Sequence, residues 1–104
     1  MRVSTLIKIG TIDEFQVNVG KLVEIEDHAI AVFRLAERQF NAVENRCPHK
    51  GGPLAVGIVS GDFVFCPLHD WKIDLKDGNV QAPDHGCVRK YDVTIEGEEV
   101  FITL

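Results

Sequence analysis

No run in this chain approaches the roughly 20 apolar residues that a membrane-crossing helix needs. The first residues, Met1 to Leu6, lack the long apolar stretch of an export signal. There are only three cysteines, an odd number and too few for a disulfide framework, so a reducing cytoplasm is the expected compartment. There is no basic excess either. Eleven Lys and Arg stand against sixteen Asp and Glu, a net charge of −5, and a nucleic-acid-binding face would need the opposite sign. Long helical periodicity, internal repeats and low-complexity linkers are all missing. So is any nicotinamide fingerprint, flavin site or recognisable substrate pocket. At 104 residues the expectation is one domain over 1–104, soluble and unexported, with a modest core.

Two short segments carry the chemistry. Cys47-Pro48-His49 is a C-x-H word, and Cys66-Pro67-Leu68-His69 is a C-x₂-H word, with sixteen residues between His49 and Cys66. Two thiolates and two imidazoles are the donors of a Rieske-type [2Fe-2S] centre, where one iron takes both sulfurs and the other both nitrogens. A Cys₂His₂ zinc finger has the same four ligands in another order, with its cysteines paired in one loop and its histidines in another. Here each loop supplies one of each, which suits a cluster lying between two facing loops. A structural zinc module that only mediates assembly is the competing reading, and it would be colourless. With neutral histidines the oxidised cluster and its ligands carry no net charge, and reduction adds one negative charge. An all-cysteine cluster would begin with two negative charges, so this one is easier to reduce. An acidic electron carrier of this kind suits a partner with a basic docking patch.

The loops are built for close approach. Gly51 and Gly52 follow His49 directly and let backbone N–H groups near the cluster sulfurs. Pro48, Pro53 and Pro67 restrict the loops and remove competing donors. Around them the pattern is short strands. Leu22–Glu26 alternates, Ala29–Leu35 is apolar and rich in β-branched residues, and Phe40–Glu44 follows a hairpin connection at Ala36–Gln39. Tyr91–Ile95 and Val100–Leu104 flank a turn at Glu96–Glu99. Tyr91, Val93 and Ile95 share one face, as do Val100, Ile102 and Leu104. Lys76–Asn79 reads as a tight turn, and Thr11–Glu14 fits a capping box that could start a single helical turn. The fold class is all-β: a Rieske-type antiparallel β-sandwich or barrel. A two-loop cluster-binding insertion at about 45–73 is expected at one end, apart from the main core.

Other polar residues read more plainly. His28, in the expected turn Glu26-Asp27-His28, reads as solvated surface, and His85 as part of a loop. Cys87, beside Val88, reads as a small apolar packing residue. Trp71 reads as a packing anchor under the second loop, and the acidic residues near Glu98 as a solvated hairpin.

The stretch from Cys47 to Val93 resembles a specific family, the Rieske-like small subunit of NAD(P)H-dependent assimilatory nitrite reductase. The ligand words alone say only Rieske. The words Lys50-Gly51-Gly52-Pro53-Leu54, Trp71-Lys72-Ile73 and Gly86-Cys87-Val88-Arg89 narrow it. Some members have lost the cluster ligands, but Cys47, His49, Cys66 and His69 are all present here. The resemblance implies an electron-transfer or structural subunit without the nitrite site. Its partner would be a large subunit carrying FAD, a [4Fe-4S] cluster and sirohaem, and together they would reduce nitrite to ammonium. The alternative is a free Rieske ferredoxin serving an aromatic-ring dioxygenase. High-potential Rieske proteins add a disulfide whose cysteines would fall at Gly52 and Leu68, and hydroxyl donors at positions matching Trp71 and Ile73. Lacking both, this chain is expected at the low end of the Rieske range, roughly −150 mV. Partner docking is expected at the loop tips, near Lys50, Leu54 and Asp70.

Overall fold

The structure is a computed structural model that describes residues 5–46, 53–67, 71–81 and 86–104. Among the described residues nine strands form two antiparallel sheets. They are β1 (Leu6–Thr11), β2 (Gly20–Ile25), β3 (His28–Ala36), β4 (Gln39–Glu44), β5 (Ile58–Ser60), β6 (Phe63–Phe65), β7 (Lys72–Asp74), β8 (Lys90–Glu96) and β9 (Glu99–Thr103). The larger sheet runs β1-β9-β8-β4-β3-β2, and the smaller runs β5-β6-β7. None of the described helices is long and apolar enough to cross a membrane.

The expected strands and hairpins form. β2 pairs with β3 from Gly20↔Phe33 to Ile25↔His28, and β3 pairs with β4 across the Glu37-Arg38 turn. The terminal hairpin pairs Val93 with Ile102 and Ile95 with Val100. β1 then covers the outer edge of β9, an element the sequence reading missed. The capping box starts a single 3-10 turn, Ile12–Glu14. The Thr11 N–H donates to Glu14 Oε1 at 2.9 Å, which holds the Glu14 carboxyl below the usual carboxylate range. The tight turn lies one residue earlier than expected, at Leu75–Asp77. It closes through Gly78 N–H to the Asp74 carbonyl at 2.7 Å. Gly78 has φ +80°, and a Cβ there would meet the Val88 carbonyl oxygen at 2.5 Å, so glycine is required twice over.

β3 explains the layering. Its interior is buried without a break from Ile30 to Phe33, the mark of a strand covered on both faces. Successive side chains point to opposite sides. Ile30 and Val32 join Ala42, Tyr91, Val100 and Ile102 in one core. Ala31 and Phe33 join Val43, Leu54, Val64, Ile73 and Leu75 in the other. The β3–β4 hairpin is thus a wall between two cores.

The stretch expected as the insertion, about 45–73, carries most of a second sheet, β5–β7. That sheet shares a core with Ala31, Phe33 and Val43 of the main sheet, and the core extends past 73 to Val80 and Val88. A segment whose apolar residues complete another sheet's core cannot stand apart from it.

Candidate metal centre

Of the four expected ligands, the structure describes Cys66. Cys47, His49 and His69 lie outside the described residues, as do Pro48, Lys50, Gly51, Gly52, Leu68, Asp70 and His85. What the structure shows is how the chain enters and leaves the segments expected to carry the ligands.

Cys66 follows β6 directly and is fully buried. Its N–H donates to the Trp71 carbonyl at 2.8 Å, one step beyond the Phe65↔Lys72 pair. The segment carrying His69 is therefore closed at its base by the last rung of a hairpin. Leu54, Ala55, Val64 and Ile73 share the core with Cys66, and Trp71 packs on its edge as expected of an anchor.

The first of these segments is clamped at its base by a side chain that sequence reasoning missed. Asn45 Oδ1 accepts the Ala55 N–H at 2.7 Å, tying residue 45 to residue 55 across the segment that holds Cys47 and His49. The Asn45 N–H donates to the Ala29 carbonyl at 2.9 Å, so the clamp is anchored to the main sheet. On the return the chain makes a 3-10 turn, Leu54–Val56, closed by Gly57 N–H to the Leu54 carbonyl at 2.9 Å.

Two glycines seat that turn. A Cβ on Gly20 would lie 2.2 Å from the Ala55 carbonyl oxygen. A Cβ on Gly57 would lie 2.4 Å from the Phe65 carbonyl oxygen, next to Cys66. Close approach therefore brings the return of the first segment against the strand end that launches the second. A third excursion starts alongside. Gln81 N–H donates to the Lys72 carbonyl at 2.8 Å, and Val80 N–H to the Gly86 carbonyl at 2.9 Å. A lone Asn or Gly in a sequence gives no signal of a clamp or a close approach, so these residues were not legible.

Several single-residue expectations change. Leu54 is fully buried and cannot supply apolar docking area, whereas the neighbouring Val56 and Ile58 are 70% and 72% exposed. Cys87 is exposed, bridged through its backbone to Asn79, and Val88 takes the packing role instead. His28 opens β3 and is only partly exposed. Its Nδ1 lies 3.1 Å from the Tyr91 hydroxyl, with the rings edge to face.

The described residues fit a buried thiolate-ligated cluster. A cysteine at a strand end, without contact with water and ringed by apolar side chains, offers a soft donor in a dry setting. Among the described residues no group of three or more His, Cys, Asp or Glu gathers as a separate metal site.

Residues 5–92 match the Rieske [2Fe-2S] domain. The anthranilate 1,2-dioxygenase ferredoxin subunit of Burkholderia cepacia is 33% identical over 97 residues, covering 92% of this chain and 89% of that protein. The ferredoxin of carbazole 1,9a-dioxygenase from Nocardioides aromaticivorans IC177 superposes with a TM-score of 0.87 at 26% identity, covering 94% and 96% of the two chains. A crystal structure described as a nitrite reductase NADPH small subunit gives 0.83 at 25% identity, covering 94% and 97%. The chain spans only 12–19% of the length of five larger curated relatives. With a fully buried cysteine at a pinned strand end, two adjoining loop bases and this match, the chain belongs to the Rieske [2Fe-2S] domain family.

Proposed function

We propose that this chain is the Rieske-type electron-transfer subunit of an NAD(P)H-dependent nitrite reductase. The reading treats residues 1–104 as one domain working in the cytoplasm. Cys47, His49, Cys66 and His69 hold the [2Fe-2S] cluster, and a larger subunit carries FAD, a [4Fe-4S] cluster and sirohaem. When bound, the cluster takes up and releases one electron at a time. The protein's own residues supply the setting. Asn45 and the Cys66–Trp71 rung fix the bases of the ligand segments, and Leu54, Val64 and Ile73 keep water from the Cys66 side.

The single observation that carries the electron-transfer reading is the Rieske [2Fe-2S] match over residues 5–92, within which Cys66 lies buried at the end of β6. The nitrite reductase assignment is supported by the words around the ligands and by the likeness to a small subunit of that description. A free ferredoxin for a ring-hydroxylating oxygenase is the second reading. It is favoured by the near end-to-end match to a dioxygenase ferredoxin subunit.

Purified with iron and sulfide available, the protein is expected to be red-brown with about two irons and two labile sulfides per chain. Cys47→Ser or His69→Ala is expected to remove the cluster. Stoichiometric zinc without labile sulfide would overturn the assignment. Co-purification from the native host decides the partner. A bound sirohaem subunit with nitrite-dependent NAD(P)H oxidation supports the first reading, and a bound oxygenase supports the second.

A further inference from the structure

Most of the described cations of this acidic chain have a partner, the exposed Lys90 excepted. Lys8, Arg38 and Lys76 pair with Glu99, Glu98 and Asp62. Arg34 donates to backbone carbonyls, and Lys21 and Lys72 lie over phenylalanine rings. Arg46 and Arg89 differ. Among the described residues neither guanidinium forms an ion pair, and both line the same cavity of about 380 Å³.

That cavity lies between the Glu26-Asp27 turn and the junction of β4 with β8. Tyr91 and His28 line it too, joined by their 3.1 Å contact. Arg89 stacks on Tyr91, its guanidinium carbon 5.0 Å from the ring centroid, which holds a charge that would otherwise wave in solvent. Two carboxylates also line the space. Glu44 is engaged, since its Oε1 accepts the Arg89 backbone N–H at 3.3 Å, and Asp27 is exposed. Neither forms an ion pair with Arg46 or Arg89. Arg46 immediately precedes Cys47, so the cavity opens beside the chain's entry into the first ligand segment.

We propose that this cavity is a docking socket for one acidic side chain of the redox partner. A guanidinium fork binds a carboxylate with two parallel hydrogen bonds, and two forks without an ion pair on one cavity make a carboxylate a fitting occupant. The volume suits a single side chain with a few waters. On a protein of net charge −5, such a socket acts as an orientation key. The general field selects a basic partner face, while the two arginines accept one acidic residue within it and fix the rotation about the contact.

The inference rests on the proposed role as an electron-transfer subunit with a larger partner. The test is calorimetric titration of the cluster-loaded protein with the large redox subunit that co-purifies with it. Arg46→Gln and Arg89→Gln are each expected to weaken binding about tenfold, the worth of one charge-assisted contact. Their salt dependence should be shallower and their visible spectrum unchanged. Arg38→Gln, in the pair with Glu98, is the control and should leave binding unaltered. Arg89→Gln stands outside the ligand segments, so the proposal does not depend on Arg46→Gln folding normally. Both variants binding within twofold of wild type would overturn the socket. So would acetate shifting the Arg89 side-chain NMR signal while partner affinity stays unchanged, since the site would then hold only a free carboxylate. A wild-type protein that binds no large subunit would sink the functional reading with it. A wild type that binds while both variants bind equally well sinks the socket alone.

Discussion

Gly57→Ala separates steric seating from backbone conformation. Gly57 has φ −75° and ψ 169°, which alanine adopts freely, so the whole effect of the added methyl is contact. The methyl would lie 2.4 Å from the Phe65 carbonyl oxygen and 3.0 Å from Val64 Cγ2. Ordinary contact begins at 3.4 Å, so the Leu54–Val56 turn and β6 must separate by about 1 Å. Overpacking of this kind costs about 1–3 kcal/mol. For a domain of this size, a loss of about 2 kcal/mol lowers the thermal midpoint by roughly 8–16 °C. The displacement also falls between the two segments proposed to hold the cluster, so iron and labile sulfide should be lost faster on chelator challenge. The matched control is Gly61→Ala. Gly61 has φ +60° with nothing within 4 Å of its Cβ position, so alanine there costs only left-handed strain, about 1 kcal/mol. That variant should be modestly less stable and keep its cluster. Equal cluster retention in the two variants, with Gly57→Ala at least as stable as Gly61→Ala, would refute the seating argument.

The remaining predictions use other features. Asn45→Ala removes the acceptor of the Ala55 N–H and should cost about 1–2 kcal/mol and hasten iron loss, whereas Asn45→Asp keeps an acceptor and should restore retention. Trp71→Ser adds a hydroxyl donor and should raise the midpoint potential of the cluster by about 60 mV, one strong hydrogen bond's worth, from a starting point near −150 mV. A wild-type midpoint well above zero in protein-film voltammetry would contradict this. Glu14 has its folded pKa below its ordinary 4.5, so its contribution is present above that value and lost as pH falls through the lower folded one. Glu14→Gln should therefore flatten the acid side of the stability profile and leave it unchanged in shape near neutrality, as followed by urea titration at several pH values.

How much was legible depended on how narrowly the chemistry limits the residue. Cys47, His49, Cys66 and His69 stand out because few other arrangements need those types at those spacings. The long hairpin strands were legible because Ala29–Leu35 and Tyr91–Ile95 carry the periodicities that β burial imposes. The small sheet was not, because its strands are three residues each, too short for a period to show. Leu54 reads as a loop residue in sequence, and only the folded return of the chain carries it into the core. Cys87 and His28 failed for the opposite reason. Each reads from its immediate neighbours, while the Cys87 backbone pairs with Asn79 across a loop and the His28 ring meets Tyr91 from a distant strand.

The two-sided burial of β3 has a bearing on evolutionary freedom. An ordinary half-exposed strand that slips by one residue exposes its apolar side chains to water. In β3 a slip would keep most of the Ile30–Phe33 stretch buried but exchange the two linings. Ile30 and Val32 would move to the Cys66 side, and Ala31 and Phe33 to the side of the terminal hairpin. Pairing is then policed by shape rather than by wetting. The space next to Leu54 and Ile73 has to accept an alanine followed by a phenylalanine, and the opposite space two branched aliphatics. Substitutions in either core are thus coupled through the same few backbone units. Drift on the terminal-hairpin side of β3 can thus be felt beside Cys66.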